Sequence, residues 1–403
     1  MRIGVDIRVL MDRYYSGVSQ YTANLLTAIL RQDSADSFQL FYNSFRNLDG
    51  RLGLWRRTNA RLVGRHIPNK IFNYFLEKCL GRPRLDKILG GVDVFWSPHF
   101  NFSSFSPSVK KIVTVHDLSF WRYPYFFSGR KNFWHRALRI KKILRDATQI
   151  IAVSQSTKND IIELAGVAPE KIAVIYSGNN LTKREVSGQE AREFLEPHGI
   201  SSRFLLYLGN LEPRKNLVGL VAAYDKLRTD NPDLSDLRLV LAGAPGWKNR
   251  SLFRAVRRSP YRSDIIFLGY ISQKEKEILY SRASVFVYPS YYEGFGFPPL
   301  EALAYDLPVV CSNTASLPEV VGEAAILINP FRFEEIAYAI NEILRDETLR
   351  RRLIEKGRER IKLFSWDETA RQYLEVFKRV AENTGMNNNN QPVETENKIR
   401  DRK

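Results

Sequence analysis

Cysteine is nearly missing from this chain of 403 residues: only Cys79 and Cys311 occur, far apart. That excludes a disulfide framework and a cysteine-rich metal site, and two unpaired thiols suit a reducing compartment. No apolar run reaches the roughly 18 residues that a spanning helix requires, so none is expected. The opening "MRIGVDIRVL" enters a strand-like pattern at once and lacks the apolar stretch and cleavage site of a signal peptide. A cytoplasmic protein is the expectation. Asp-x-Asp, a short acidic pair suited to a divalent cation, is also missing.

Acidic residues are the minority. The chain holds 61 Lys and Arg against 44 Asp and Glu, a net charge of +17. The excess sits at one end: residues 51–150 carry 20 basic and 5 acidic residues. Trp55, Phe72, Tyr74, Phe75, Trp121, Phe126, Phe127, Phe133 and Trp134 are interleaved with them. Bases mixed with aromatics suit an anionic membrane surface better than nucleic acid, with a plain basic surface as the bland alternative.

What is present is an alternation. Short apolar runs appear as "RIGVDI", "FQLFYN", "DVFWSP", "KIVTVHD", "QIIAVS" and "KIAVIYS", then again as "FLLYLG", "RLVLAG", "IIFLGY", "VFVYPS", "PVVCSN" and "AAILINP". Continuous apolar runs bounded by Gly, Pro, Asn or Ser fit parallel strands buried on both faces. Helical patterns such as "SQYTANLLTAIL" and "FEEIAYAINEILRD" lie between them. The expected fold class is α/β, with two doubly wound parallel sheets in series around a central cleft. The boundaries read as 1–178 for the first domain, 179–202 for a polar linker and 203–365 for the second. Residues 366–382 form a last helix that can cross back to the first domain. The Asn-rich tail 383–403 is expected to be disordered.

Motifs at the carboxyl ends of these strands should face the cleft. "YEGFGFPPLEALAYDLPVV" (292–310) sets Glu293 on a loop and Glu301 eight positions later, in the expected first turn of a helix. Pro298 and Pro299 can start that helix, since proline there forfeits only an orphan N–H. Gly294 and Gly296 permit a close backbone approach, and the free N–H groups near Leu300 suit an anion. A polyol phosphate spans such a site, with hydroxyls on each carboxylate and phosphate at the helix start. The bland alternative is a helix-start acid and a solvated loop acid. In "FLLYLGNLEPRKNLVGL", Gly209 ends a strand and Arg214 and Lys215 follow, two cations suited to a diphosphate. His116 ends the strand "KIVTV" and faces the same cleft.

Taken together, these motifs resemble the retaining, nucleotide-sugar-dependent glycosyltransferases of the two-Rossmann GT-B fold (glycosyltransferase group 1, bacterial mannosyltransferase-like). The resemblance rests on "YEGFGFPPLEALAYDLPVV", whose Glu293 and Glu301 match the family's E-x7-E signature, and on "GNLEPRKN", "FLGYIS", "TASLPEVVGEAAILINP", "TVHDLSFWRYP" and "YSGVSQYTANLL". It covers nearly all of residues 1–380. It implies that Glu301 bonds the ribose hydroxyls and that Glu293, with the backbone of Gly294, Phe295 and Gly296, bonds the transferred sugar. It implies Arg214 and Lys215 on the diphosphate, Tyr270 by the nucleobase, Gly17 beside the diphosphate and His116 on the donor sugar. Many members carry an arginine directly after the strand glycine, where this chain has Asn210, so the division of charge between Arg214 and Lys215 stays open.

With no Asp-x-Asp, Arg214, Lys215 and the helix start near Leu300 are the groups expected to neutralise the leaving group, and no metal or other cofactor is expected. The resemblance further implies retention without a covalent nucleophile, GDP-mannose as donor, and a glycan or lipid-linked acceptor in lipopolysaccharide or exopolysaccharide assembly. Peripheral attachment to the inner face of the cytoplasmic membrane goes with that. UDP- or dTDP-sugars remain alternative donors. A sugar-nucleotide epimerase of the same fold would need acid/base groups that the sequence does not reveal. A non-enzymatic nucleic-acid binder would leave the paired glutamates and the Arg–Lys pair without purpose.

Overall fold

The β-rich runs form two parallel sheets. The computed structural model describes residues 1–11, 16–33, 35–44, 53–55, 59–68, 83–201 and 203–382. The tail 383–403, together with Phe72, Tyr74, Phe75 and Cys79, lies outside them. In the first sheet, β1 (Arg2–Asp6), β2 (Ser37–Asn43), β3 (Ala60–Arg65), β4 (Val94–Ser97), β5 (Lys110–Val115), β6 (Gln149–Ala152) and β7 (Ile172–Val174) lie in the order β3-β2-β1-β4-β5-β6-β7. In the second, β8 (Phe204–Leu208), β9 (Arg238–Ala242), β10 (Ile265–Gly269), β11 (Val285–Tyr288), β12 (Val309–Ser312) and β13 (Ala325–Ile328) follow β10-β9-β8-β11-β12-β13. Central strands such as β11 and β12 are buried at every residue, as two-sided coverage by helices requires.

Strand order reverses once in each sheet, between β1 and β4 and between β8 and β11. Chains leaving neighbouring strands in opposite directions open a crevice at their carboxyl ends, where such folds bind ligands. In the second sheet, the loops at that reversal are those carrying Gly209 to Lys215 and Tyr292 to Gly296. The motif loops therefore lie together because of topology, although more than 70 residues separate them.

The chain crosses between domains twice. After β7, Asn179 N–H donates to the Phe364 carbonyl (3.1 Å), so the outward and returning strands of the crossing are tied side by side. The region between the domains holds a helix, Gly188–Leu195, N-capped by Ser187, where the sequence suggested only a polar linker. Helix Trp366–Glu382 lies on the first domain: the Tyr373 hydroxyl bonds those of Tyr21 (2.6 Å) and Thr114 (2.7 Å), and its ring packs on Trp96. Buried aromatics with satisfied hydroxyls make this a core contact.

Candidate active site

Between the two domains lies a cavity of about 640 Å³. Of the residues singled out from the sequence, His116, Gly17, Gly209, Asn210, Arg214, Lys215, Tyr270, Glu293, Gly294, Phe295, Gly296 and Glu301 line it. Leu300 does not. Its side chain is fully buried in the core, and any contribution comes from the backbone of the helix start.

That helix runs Phe297–Ala304, with Gly296 as N-cap at φ 103°. A left-handed cap favours glycine, and a Cβ there would also lie 2.6 Å from Leu317 Cδ2. Glu301 is the fifth helical residue, not part of the first turn, so the helix dipole is not what selects a carboxylate there. It is 1% exposed and bonded on several sides: Lys276 Nζ lies 2.6 Å away, the Tyr280 hydroxyl donates at 3.0 Å and Asn180 Nδ2 at 3.5 Å. Sequence reasoning missed all three partners. Lys276 lies in the polar helix Gln273–Arg282, whose sequence reads as a solvated face.

Glu293 does not stand alone at the other end. Arg214 Nη1 donates to it at 2.9 Å and Lys215 Nζ at 2.6 Å, and all three side chains are buried or nearly so. Arg214 also donates to Glu212 (2.8 Å), and Lys215 to the Tyr288 hydroxyl (2.7 Å). Burial pushes the Glu293 carboxyl up, but the Arg214 and Lys215 charges outweigh it and bring its pKa to about 2. The cations expected on a diphosphate are thus matched by Glu212 and Glu293, forming one charge-balanced cluster. Glu293 is therefore not the solvated loop acid of the bland reading.

Gly294 departs most from the sequence-based expectation. Its smallness serves a protein contact and not only a ligand: a Cβ there would lie 1.8 Å from the His116 carbonyl oxygen of the other domain. The Gly294 carbonyl accepts from Ser154 Oγ (2.7 Å), which fixes the loop on the first domain. Glu319 tightens the same seam, accepting from the backbone N–H groups of Gln155 and Ser156 at 2.8 Å each. At Gly17, first residue of helix Gly17–Gln32, an added Cβ would meet only Phe297 at 3.9 Å, so there the space belongs to the cavity.

His116 Nε2 lies 2.8 Å from the Pro98 carbonyl. A carbonyl only accepts, so Nε2 carries the proton and Nδ1 is the ring's acceptor nitrogen. Burial lowers its pKa to about 4, which keeps the ring neutral near pH 7. A neutral ring suits a hydrogen-bonding role. Tyr270 follows β10 at the cavity wall and is 58% exposed. Among the described residues no cluster of three His, Cys, Asp or Glu side chains is arranged to hold a metal ion. Cys311 is buried in β12, and burial raises its thiol pKa.

Two family models divide the chain between them: "Glycosyltransferase Family 4" over residues 15–183 and "Glycosyl transferases group 1" over residues 191–360. The O-antigen chain mannosyltransferase B of Escherichia coli is 33% identical over 273 residues, covering 67% of this chain and 70% of that one. The chain belongs to the group 1 glycosyltransferases. The serotype-specific mannosyltransferase WbdA of E. coli is 29% identical over 68% of this glycosyltransferase, which spans about a third (34%) of WbdA's length. Sucrose-phosphate synthase from Thermosynechococcus elongatus superimposes with a TM-score of 0.73, covering 94% of this chain and 99% of that one at 21% identity. With two parallel-sheet domains facing one cleft, the glycosyltransferase has the GT-B fold.

Proposed function

We propose that this glycosyltransferase moves a mannosyl residue from GDP-mannose to a glycan or lipid-linked acceptor in lipopolysaccharide or exopolysaccharide assembly. The observation that carries the reading is an interdomain cavity whose wall holds both Glu301 and the Arg214–Glu293–Lys215 cluster. Both E. coli relatives are named mannosyltransferases, which favours mannose as the sugar.

Glu301, prepositioned by Lys276 and Tyr280, accepts the two ribose hydroxyls. The diphosphate takes up donors from Arg214 and Lys215 and from the N–H groups at the start of the Phe297 helix. Glu293 then exchanges part of its ion pairing for hydroxyls of the sugar. As the glycosidic bond breaks, negative charge grows on the phosphate beside fixed cations and N–H dipoles, the arrangement that stabilises a leaving group without reorganisation. His116 Nδ1 accepts a hydroxyl of the same sugar. Closure of the Gly294 loop on the first domain keeps water from the activated donor. The acceptor hydroxyl attacks from the face that the phosphate leaves and gives its proton to a leaving-phosphate oxygen, which retains configuration and calls for no metal or covalent nucleophile.

Exposed Tyr125 (63%) and Phe133 (72%) share the stretch 125–142 of the first domain with Arg130, Arg136, Arg139, Lys141 and Lys142, all exposed. This face is the one we place against an anionic membrane. Among the described residues no helix is long and apolar enough to cross a membrane. Co-sedimentation with anionic vesicles that does not weaken with salt would count against the placement.

A thermal-shift panel with GDP, UDP, dTDP and ADP in EDTA tests the donor. Ligand at 100 times its dissociation constant adds about 2.7 kcal/mol. A selective shift with GDP supports the reading. A shift with UDP or dTDP replaces mannose with another donor sugar, and no shift with any nucleotide refutes the site.

A further inference from the structure

A second cavity, of about 340 Å³, opens beside the first and shares His116, Asp117, Asn210, Glu212 and Arg214 with it. Its character differs. The first domain supplies Phe100, Phe120, Phe127 and Trp134 to its wall, and the second domain adds Trp247. His135 stacks on Phe120 (4.2 Å between centroids, 21° between planes). Trp247 reaches across the domain seam: its Nε1 donates to the Phe126 carbonyl at 2.6 Å, and Lys131 Nζ caps its ring at 3.2 Å from the centroid. Next to it, Lys248 Nζ donates to the Tyr125 carbonyl at 2.7 Å.

We infer that this aromatic cavity is the subsite for one neutral hexopyranose ring of the acceptor, completed only when Trp247 docks from the donor-side domain. The volume falls within the roughly 300–1,000 Å³ typical of small-molecule sites, and an apolar wall with a few convergent polar groups is their usual make-up. A pyranose has that same duality: its axial C–H face is apolar and packs on aromatic rings, while its edge is ringed by hydroxyls. Asp117, Asn210 and Glu212 supply acceptors for those hydroxyls at the boundary with the donor cavity. Charged side chains of the wall already have partners, Arg214 with Glu212, Lys131 with the Trp247 ring and Asp117 with Ser119, so a neutral ring asks for no new ion pair. The shared boundary at His116 sets an acceptor hydroxyl next to the sugar being transferred. Trp247 makes acceptor capture depend on domain closure, so donor and acceptor meet in one shielded space.

The assignment rests on the transferase reading for the ring's role, and the two fail separately. The experiment is a titration with methyl α-mannopyranoside, read by saturation-transfer NMR with and without GDP, on wild type, Trp134→Ala and Trp247→Ala. Trp134 lies on a helix without buried residues (Gly129–Ala137), so its truncation leaves folding intact, checked by near-UV circular dichroism. The expected result is a tenfold or greater weakening of mannoside binding in both variants, with GDP affinity of Trp134→Ala within threefold of wild type. Mannoside binding unchanged in both variants overturns the proposal. So does a cavity that takes geranyl phosphate in competition with nothing sugar-like, which would make it a lipid site. Mannoside binding lost in the variants but no GDP binding by wild type refutes the nucleotide-sugar reading and leaves the subsite standing.

Discussion

Replacing Glu293 by Gln removes one charge from a buried cluster of four and leaves its shape nearly unchanged. In the wild type, Glu293 and Glu212 balance Arg214 and Lys215, with contacts of 2.6–2.9 Å around Glu293. The variant leaves one cation uncompensated where Lys215 is 7% exposed. Breaking a buried pair from one side costs about 3–5 kcal/mol. For a cooperative unit of 150–250 residues each kcal/mol moves Tm by about 2–4 °C, so a fall of roughly 6–20 °C is expected without ligand. The same uncompensated cation makes the site a better anion trap. GDP should therefore bind Glu293→Gln more tightly than wild type and restore more of its Tm, while transfer falls tenfold or more because the sugar loses its acceptor. Calorimetry with GDP and differential scanning of both forms measure this. Unchanged stability together with weaker GDP binding would refute the charge-balance reasoning.

Glu301→Gln should weaken GDP about tenfold or more, the scale of a hydrogen bond to a charged group, yet leave pyrophosphate affinity unchanged, since pyrophosphate has no ribose; calorimetry with both ligands checks it. Gly294→Ala places a methyl 1.8 Å from the His116 carbonyl, so the domains must part: small-angle scattering should show a larger particle, and transfer should fall about a hundredfold, as expected for misplacement near 1 Å. Gly17→Ala is its counterpart, folding normally because the nearest atom is 3.9 Å away but binding GDP more weakly. Stability should also depend on pH. Burial lowers His99 and His116 from 6.5 to about 4, so below pH 6.5 the unfolded chain binds protons that the native chain refuses, and stability declines from pH 6.5 to 4. Each contributes at most about 3.4 kcal/mol at 1.36 kcal/mol per pKa unit. Glu293 adds its loss lower, between 4.5 and about 2, where protonation breaks the cluster. Urea midpoints at pH 7.5 and 5 measure the histidine part, and equal midpoints would contradict it.

Much of the fold was legible because buried parallel strands carry a strong signal: continuous apolar runs marked every described strand but one. The exception, β3, is an edge strand reading "ARLVGR", half-exposed and charged, so apolar continuity never appears. The helix Gly188–Leu195 hid for a similar reason, since only Ala191 and Leu195 are buried and the rest reads as polar linker. Motif and spacing pointed Glu293, Glu301, Arg214 and Lys215 toward one cleft, and all four line the interdomain cavity. Their pairing was not legible. Nothing local says that Glu293 faces both cations, that Lys276 reaches Glu301 from another helix, or that Gly294 is small because His116 lies against it. Those are long-range facts, set by the reversal of strand order and by how the domains meet. Trp247 went unnoticed for the same reason, its partners Phe126 and Lys131 being over a hundred residues earlier.

The most direct test of the account is a transfer assay with GDP-mannose, in EDTA, using a soluble mannoside acceptor and NMR of the product. The account predicts release of GDP and a new α-linked mannosyl residue, with the configuration of the donor retained and the rate insensitive to the chelator. A β-linked product would contradict retention, a requirement for added metal would contradict the role given to Arg214 and Lys215, and no transfer from any nucleotide sugar would contradict the site itself.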